Sequence, residues 1–380
     1  MLYALAFVAH AETFPLADAG VTFDLPAGWA MTRWSDWDFK AKSGDGAVQL
    51  EAWYTPFQHA PTKAAAEGFA AAYRAKLEEK RATEVALDRA DVVAHGGRDV
   101  ARADLKFALD KGVRGVAYAG AIALDGRVFH VVTYAAAANA AKAKRGLDQV
   151  LDRLTVQKPP GDLASLAGAL PTKLGFSATL PEGWRRPLPS EEAEIAGLVG
   201  AFGPKDPAEC AAAVRPAPGA DTDLMLLCKE EWAFGPLDAA SFADKAALVK
   251  QARFGKAADK VPADPIEAKD RVGVLLRPEI NDKDLRLGIV PYDGGAAVGW
   301  AIGARGRADA LEAALRPTLA GLAYEGADGG LARYDVGTMV FHTLTYDPLH
   351  PGVLCCAGAS LVFVGGIAVV VFRPRRRAET

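Results

Sequence analysis

The residues best suited to bind a ligand form an aromatic cluster near the start of this sequence. Seven aromatic side chains lie within residues 29–57, namely Trp29, Trp34, Trp37, Phe39, Trp53, Tyr54 and Phe57. Aromatic rings in a loop can stack on sugar rings or receive an apolar peptide. The alternative, that they only pack between a sheet and a helix, remains open. We take Trp34, Trp37, Trp53 and Tyr54 as the candidate ligand-binding residues.

Motifs for catalysis and metal binding are missing from the sequence. It contains no HExxH, GxSxG, phosphate-binding loop or EF-hand loop. The histidines at positions 59, 95, 130, 342 and 350 share no short motif, and ordinary surface or core positions explain them. The acidic loops at residues 221–223 and 282–284 have too few oxygen ligands for a hard cation. We therefore predict no catalytic residue, no metal site and no cofactor.

Two of the four cysteines are candidates for a disulfide. Cys210 and Cys228 lie in the predicted neighbouring strands ECAAAVRP and DLMLLCKE. They could form a bridge in an oxidising compartment, whereas two reduced, buried cysteines fit the pattern equally well. Cys355 and Cys356 belong to an apolar segment, and no CxxC or Cys/His cluster indicates zinc.

Length and composition predict a folded chain of more than one domain. The 380 residues exceed the ~150 of an ordinary domain, and 51% of them are hydrophobic while 24% are charged. This composition supports a packed core and excludes global disorder. The net charge of −3 provides no broad basic surface, so we expect no nucleic-acid partner.

An uncharged segment near the C-terminus predicts a membrane anchor. Residues 353–372 contain no charged side chain, and 20 helical residues span ~30 Å, the thickness of a bilayer's hydrocarbon core. Four arginines follow within residues 373–377, whereas residues 335–372 contain no Lys or Arg. The positive-inside rule then places the tail, residues 373–380, in the cytoplasm and everything before residue 353 outside it.

The N-terminus carries a weak export signal. Residues 1–11 combine a short apolar stretch with the small-x-small pattern Ala9-His10-Ala11, which signal peptidase accepts. The usual positive charge before the apolar stretch is missing, so either the signal is weak or the natural start lies upstream. Together with the anchor, it predicts a single-pass cell-membrane protein with its domains outside the cytoplasm.

Three landmarks recur in the same order in the two halves of the sequence. The first is an extended stretch that ends in a turn, VTFDLPAGW and then FSATLPEGW. The second is an amphipathic helix, predicted over residues 62–80 and again over 238–254. The third is a helix that ends in LDRLTV and then in LAGLAY. Strand-like runs lie between the second and third landmarks, with Asp-Gly hairpin signals at residues 125–126 and 293–294.

This order predicts an α+β protein made of two tandem antiparallel-sheet and helix sandwich domains, followed by one transmembrane helix. The predicted boundaries are a signal peptide at 1–11, a first domain at 12–157, a linker at 158–171, a second domain at 172–326, a stalk at 327–352, the transmembrane helix at 353–372 and a basic tail at 373–380.

The turn motif resembles that of the PsbP/Mog1-like family, including its bacterial branch. The matching residues are LPAGW at 25–29 and LPEGW at 180–184. The resemblance covers residues 13–157 and 172–326 as two copies, and it implies an antiparallel sheet flanked by two helices. Members are mostly non-catalytic subunits, partners or envelope proteins, so it also implies a binding role.

The sequence therefore favours a non-enzymatic, membrane-anchored envelope protein that presents two binding or scaffold modules. Its expected partners are the lipid bilayer, through residues 353–372, and an envelope protein or ligand that the sequence does not identify. Two alternatives remain. A membrane-tethered hydrolase acting on carbohydrate needs two facing acidic groups ~5–10 Å apart. A chaperone for apolar segments needs an open hydrophobic groove on a sheet face.

Overall fold

A computed structural model of the chain shows an α+β architecture built from antiparallel sheets. The structure describes residues 13–16, 20–35, 38–109, 112–172, 174–202, 210–217, 222–230, 232, 237, 241–268, 271–279, 283–292 and 295–324. We refer to residues 13–156 as the first half and to residues 169–324 as the second half.

The first half contains ten strands and two α-helices within its described residues. The strands are β1 (Thr13–Leu16), β2 (Val21–Asp24), β3 (Trp29–Trp34), β4 (Asp38–Ser43), β5 (Val48–Pro56), β6 (Thr83–His95), β7 (Arg98–Leu109), β8 (Val113–Leu124), β9 (Arg127–Ala136) and β10 (Thr155–Val156). The helices are α1 (Lys63–Glu79) and α2 (Ala140–Asp152). A seven-stranded antiparallel sheet has the order β3-β4-β5-β9-β8-β7-β6, and a three-stranded sheet has the order β1-β2-β10.

Both faces of the seven-stranded sheet are covered. On one face α2 and β2 enclose a core that includes Phe23, Phe129 and Leu147, each at most 1% exposed. On the other face α1 packs Phe69, Tyr73 and Leu77 against alanines and valines of β7, β8 and β9. The alternation of side chains along each strand produces these two cores from one sheet.

The second half contains nine strands and three helices within its described residues. The strands are β11 (Ala169–Leu170), β12 (Phe176–Thr179), β13 (Cys210–Arg215), β14 (Asp223–Glu230), β15 (Ala263–Ala268), β16 (Arg271–Leu276), β17 (Lys283–Tyr292), β18 (Gly295–Ala304) and β19 (Ala323–Tyr324). The helices are α3 (Glu192–Phe202), α4 (Phe242–Phe254) and α5 (Ala308–Ala320). The large sheet has the order β13-β14-β18-β17-β16-β15, and a small one has the order β11-β12-β19.

Helices also cover both faces of this six-stranded sheet. The helix α5 packs Leu311, Leu315 and Leu319 on one face together with Phe176 of β12. The helix α4 packs Ala246 and Val249 on the other face. Each half thus places a central antiparallel sheet between helices, with a short sheet beside the last helix.

The turn after β2 and the turn after β12 have the same geometry. The amide of Trp29 donates to the carbonyl of Pro26 at 3.1 Å, and the amide of Trp184 donates to the carbonyl of Pro181 at 3.1 Å. The third turn position is Gly28 or Gly183, with φ of 78° and 80°. A positive φ at the third position of a β-turn favours glycine, which explains why both turns have glycine there.

The structure confirms the α+β class. The helix predicted at residues 62–80 is α1, and the Thr62 hydroxyl caps it by accepting from the amide of Ala65. Within the part of the chain that the structure describes, no helix combines the length and hydropathy needed to cross a bilayer. The predicted signal at 1–11, the stalk and anchor at 327–372 and the tail at 373–380 lie outside the described residues.

Candidate functional site

A pocket of about 270 Å³ lies where the two halves meet. Its first-half wall comes from β5, β9, α1 and the segment after β5, and its second-half wall comes from Pro216 and Ala217, which follow β13, and from Thr222, which precedes β14. The described lining residues are Trp53, Thr55, Pro56, Phe57, His59, Phe69, Ala72, Tyr73, Lys76, His130, Pro216, Ala217 and Thr222. We call this site the junction pocket.

Strand register brings the first polar group of the pocket into place. Trp53 of β5 lies directly opposite His130 of β9 in the antiparallel ladder. Opposite residues point to the same face of a sheet, which here is the face covered by α1. On α1, Phe69, Tyr73 and Lys76 follow one another at spacings of four and three, so they share the helix side that faces the sheet.

These rings form a stacked aromatic wall. The His130 ring lies 4.9 Å from Phe69 and 5.2 Å from Trp53, measured between ring centroids, and both pairs are close to parallel. Trp53 also stacks on Tyr73 at 6.4 Å. Because these rings stack on one another, they form a continuous apolar wall on this side of the pocket.

His130 has one ring nitrogen that is bound and one that is not. It is 2% exposed, and its Nε2 is hydrogen-bonded to Thr55 Oγ1 at 2.9 Å. Its Nδ1 is buried and has no hydrogen-bond partner among the described residues. Burial, followed by the positive fields of His59 and Lys76, lowers the pKa of His130 to about 3, so the imidazole is neutral at pH 7. A buried polar atom without a partner is unfavourable unless something binds it.

Lys76 brings a positive charge to the same wall. Its Nζ lies 4.5 Å from the centre of the Trp53 ring, a cation–π contact. Burial lowers the pKa of Lys76, and the nearby Glu51 carboxylate opposes this shift. Glu51 itself accepts hydrogen bonds from Tyr134 and Lys40. Lys76 is the one Lys, Arg, Asp or Glu among the described residues that line the pocket.

Phe57 links the pocket to the second half. Its side chain is 4% exposed and packs against Ile195, Val214 and Leu224. Its backbone φ is 68°, a left-handed value that is unfavourable for a bulky residue. The packing against the second half therefore has to compensate for local backbone strain.

A buried ion pair fixes the two halves beside the pocket. Both oxygens of Glu191 accept from the Arg185 guanidinium at 2.7 Å, and Glu191 also accepts from the amide of Gln58 at 2.8 Å. Arg185 donates to the carbonyl of Gln58 at 2.7 Å. The Gln58 side chain binds the backbone of Gly161 in both directions, each at 2.9 Å. A bidentate pair with this many hydrogen bonds defines one orientation of the halves.

A larger groove of about 650 Å³ runs along the linker at Pro159 and Pro160. Its buried polar side chain, Gln58, already has hydrogen-bond partners. The junction pocket is the better candidate because its buried imidazole lacks one.

The structure separates the four predicted ligand-binding residues. Trp53 lies in the junction pocket, but Tyr54 is the next residue on β5 and faces the opposite core, where Arg127 stacks on its ring at 4.8 Å. Trp34 is 50% exposed on the edge strand β3. Trp37 lies outside the described residues. The pleat of β5 is the reason that Trp53 and Tyr54 do not share a site.

Cys210 and Cys228 are joined by a disulfide. They are opposite each other in the ladder of β13 and β14, with Cα atoms 4.0 Å apart. No group of three or more His, Cys, Asp or Glu side chains in the described part of the chain is arranged to hold a metal ion.

The sequence pattern did not identify His130, Lys76 or Thr55 as site residues. His130 is 77 positions from Trp53 in the sequence, and only the register of β5 and β9 brings the two together. The run RVFHVVTYA offers one signal, because a histidine inside an otherwise apolar strand has to be accommodated on a buried face.

Comparisons with known proteins find similarity only among solved structures. No protein-family model and no curated protein matches the sequence. A Bacteroides thetaiotaomicron protein is 16% identical over 42% of this chain, with a TM-score of 0.29, and the match spans about half (52%) of that protein's length.

Two further matches span nearly the full length of the proteins concerned. Cyanobacterial PsbP (CyanoP) from Synechocystis sp. PCC 6803 is 13% identical, with 41% of this chain and 98% of that chain covered and a TM-score of 0.33. The Ran-binding protein Mog1p from Saccharomyces cerevisiae is 11% identical, with 40% and 97% covered and a TM-score of 0.31. Cyanobacterial PsbP and Mog1p are thus among the solved structures to which this chain is similar.

Proposed function

We propose that this chain is a non-catalytic, membrane-anchored binding protein of the cell envelope. In this proposal residues 353–372 cross the membrane, the two halves lie outside the cytoplasm, and the junction pocket binds a small ligand. The observation that carries the binding role is the junction pocket itself, where stacked rings and a buried imidazole with an unpartnered Nδ1 line a cavity between fixed halves.

We also propose that the halves are two copies of one unit. Each has a strand that leads into a Pro-x-Gly-Trp turn, a large antiparallel sheet with helices on both faces, and a final helix followed by a two-residue strand. That last strand, β10 or β19, pairs with the strand before the turn in both halves. The junction pocket is then a site that neither copy has alone.

The two alternative functions find no support in the described residues. A glycosidase acting through the junction pocket needs a pair of carboxyl groups, and the described lining includes no Asp or Glu. A chaperone with a groove on a sheet face needs that face open, whereas α1, α2, α4 and α5 cover the faces of the two large sheets.

The binding role is tested by filling the pocket. Ala72→Trp places an indole in the pocket from α1, and Ala71→Trp, on the exposed side of the same helix, is the matched control. We expect small ring-containing probes such as phenol, indole and methyl glucoside to include at least one that binds the full chain and the control but not Ala72→Trp, as seen by saturation-transfer NMR. If no probe shows this difference, the junction pocket is not a ligand site.

The anchoring role is tested by fractionation. The full chain should sediment with membranes, and a chain lacking residues 353–380 should not. Reporters fused after Gly330 and after Thr380 should be active on opposite sides of the membrane, with the tail in the cytoplasm. Equal partitioning of the long and short chains would remove the anchor from the proposal.

A further inference from the structure

The junction pocket has a chemical character that narrows its ligand, and this inference rests on the proposed binding function. A volume of about 270 Å³ lies just below the ~300–1,000 Å³ of pockets for drug-sized ligands. The stacked rings of Phe69, His130, Trp53 and Tyr73 line the cavity with apolar surface. Size and shape together suit a molecule with one planar ring.

The charge of the described lining is positive. Lys76 is its one ionised side chain at pH 7, because the two imidazoles, His59 and His130, have pKa values that burial lowers. No carboxylate among the described lining residues neutralises the Lys76 charge within the cavity. A cation brought into this site would be repelled, while an anion would recover in the pocket part of the solvation that it loses.

The hydrogen bond between Thr55 and His130 is compatible with a proton on His130 Nδ1, which makes this atom a hydrogen-bond donor. Thr55 Oγ1 can donate its proton to His130 Nε2, since the two atoms are 2.9 Å apart. The remaining imidazole proton is then on Nδ1, the atom that has no partner among the described residues. A neutral imidazole in this tautomer has a buried N–H on Nδ1, which becomes a donor to a ligand oxygen when the surrounding side chains move apart.

We propose that the junction pocket binds a small planar aromatic carboxylate, whose ring packs against the apolar wall of Trp53, Tyr73 and Phe69 and whose carboxylate is held by Lys76 Nζ and His130 Nδ1–H. The ring supplies apolar contact, and the two donors supply the selectivity for a single negative charge. The Thr55 hydroxyl is the donor to His130 Nε2 that this tautomer requires.

Three probes of similar size test this ligand class on the full chain in lipid nanodiscs, with empty nanodiscs as the blank. Benzoate, benzamide and benzylammonium share a ring and differ in charge, and their dissociation constants are measured by titration calorimetry at pH 7. We expect benzoate to bind at least about tenfold more tightly than benzamide, the ratio that loss of one charge-assisted hydrogen bond produces. Benzylammonium should not bind detectably.

Variants on α1 assign the selectivity. Lys76→Gln should weaken benzoate about tenfold and leave benzamide unchanged. Lys80→Gln removes a lysine one turn further along, which lies 5.7 Å from the Tyr134 ring and outside the pocket, and should change neither. His130→Phe keeps a ring and should weaken both benzoate and benzamide, because each has an oxygen that accepts from Nδ1–H.

The outcomes separate the ligand class from the binding role. If benzamide or benzylammonium binds as tightly as benzoate, or if Lys76→Gln and Lys80→Gln behave alike, the carboxylate class is wrong while the pocket remains a binding site. The carboxylate class is also wrong if none of the three probes binds while phenol or indole binds the full chain and fails to bind Ala72→Trp. Failure of every probe, with no effect of Ala72→Trp, overturns the binding role as well.

Discussion

His130 shows how a single side chain can serve a ligand site at the expense of folding. It is a titratable group enclosed by Phe69 and Trp53, with one ring nitrogen bound to Thr55. Burial and the neighbouring positive groups His59 and Lys76 disfavour its charged form, which is why its pKa falls to about 3. A phenylalanine at this position would not titrate and would have no unpartnered Nδ1. The chain nevertheless has a histidine here, on an otherwise apolar wall.

The free energy of unfolding should therefore decrease on acidification below the ordinary histidine pKa. Between pH 6.5 and about 3 the unfolded chain binds a proton at residue 130 that the native chain does not, so stability is greatest above pH 6.5 and decreases as the pH falls. The loss is about 1.4 kcal/mol per pH unit, or about 2–3 kcal/mol between pH 6.5 and 4.5.

Urea denaturation at pH 7.0, 5.5 and 4.5 measures this dependence, and His130→Phe should reduce its slope. Burial also lowers the pKa of His59, so a residual slope of the same sign should remain in the variant. Equal slopes in the two proteins would show that His130 does not titrate as a buried group.

At the scale of the elements, the hairpin of β13 and β14 connects the disulfide with the junction pocket. The strand β13 is an edge strand, held by β14 on one side and by a single backbone bridge between Val214 and Arg185 on the other. Cys210 and Cys228 join the two strands at one end, and Pro216 and Thr222 reach the pocket at the other end. A loosened β13 should therefore disturb the pocket wall.

Reduction of this disulfide should destabilise the hairpin. The two cysteines are 18 residues apart, and closing a loop of this size stabilises a fold by ~3 kcal/mol in the chain-entropy model. Cys228→Ser should lower the melting temperature and remove its dependence on reductant. The double variant Cys355→Ser/Cys356→Ser is the control and should retain both the stability and the reductant dependence.

A second readout is the mobility of the full chain on a non-reducing gel. The wild type should run faster before reduction than after it, and Cys228→Ser should show no shift. If neither the gel mobility nor the melting temperature of the wild type changes on adding reductant, Cys210 and Cys228 are not bridged.

Local chemistry explains which elements could be predicted from the sequence. The turns at Pro26–Trp29 and Pro181–Trp184, the Thr62 cap and the Asp125-Gly126 hairpin each depend on residues within four positions, and the structure has all of them. The helix α3 was not predicted, because its sequence EAEIAGLVGAF lacks an amphipathic period. Edge strands β6 and β15 were also missed, since their polar sides weaken the strand pattern.

The candidate site was less predictable because strand register creates it. The aromatic cluster includes Trp53 and Tyr54 of β5, but the pleat divides the two, and the partner of Trp53 is His130, 77 residues later in the sequence. Nothing in the local sequence around Gln58 or Arg185 indicates that they meet. Contacts of this kind depend on how two halves dock, which local propensity does not encode.

At the scale of the whole molecule, the buried pair of Arg185 and Glu191 decides whether the halves act as one body. Arg185 is 5% exposed and Glu191 is 1% exposed, and both bind the backbone of Gln58 from the first half. Breaking a buried pair by removing one partner leaves the other charge without compensation. Substitution of Arg185 or Glu191 should therefore lower the free energy of unfolding much more than substitution of an exposed residue at the same junction.

Glu191→Ala should lower the free energy of unfolding by about 3–5 kcal/mol, because Arg185 stays buried and the amides of Gln58 and Leu188 lose their acceptor. Ser190→Ala is the matched control. Ser190 donates to Asp125 at 2.9 Å across the same junction but is exposed, so its loss should amount to less than about 1 kcal/mol.

Hydrogen exchange should then locate the effect, with faster exchange at Gln58 and along β13 in Glu191→Ala and unchanged exchange in β7 and β17. If protection is lost uniformly across both large sheets, the pair stabilises the whole fold and not the junction. If Glu191→Ala and Ser190→Ala are equally mild, the halves are held by the Phe57 contact and the ion pair is dispensable.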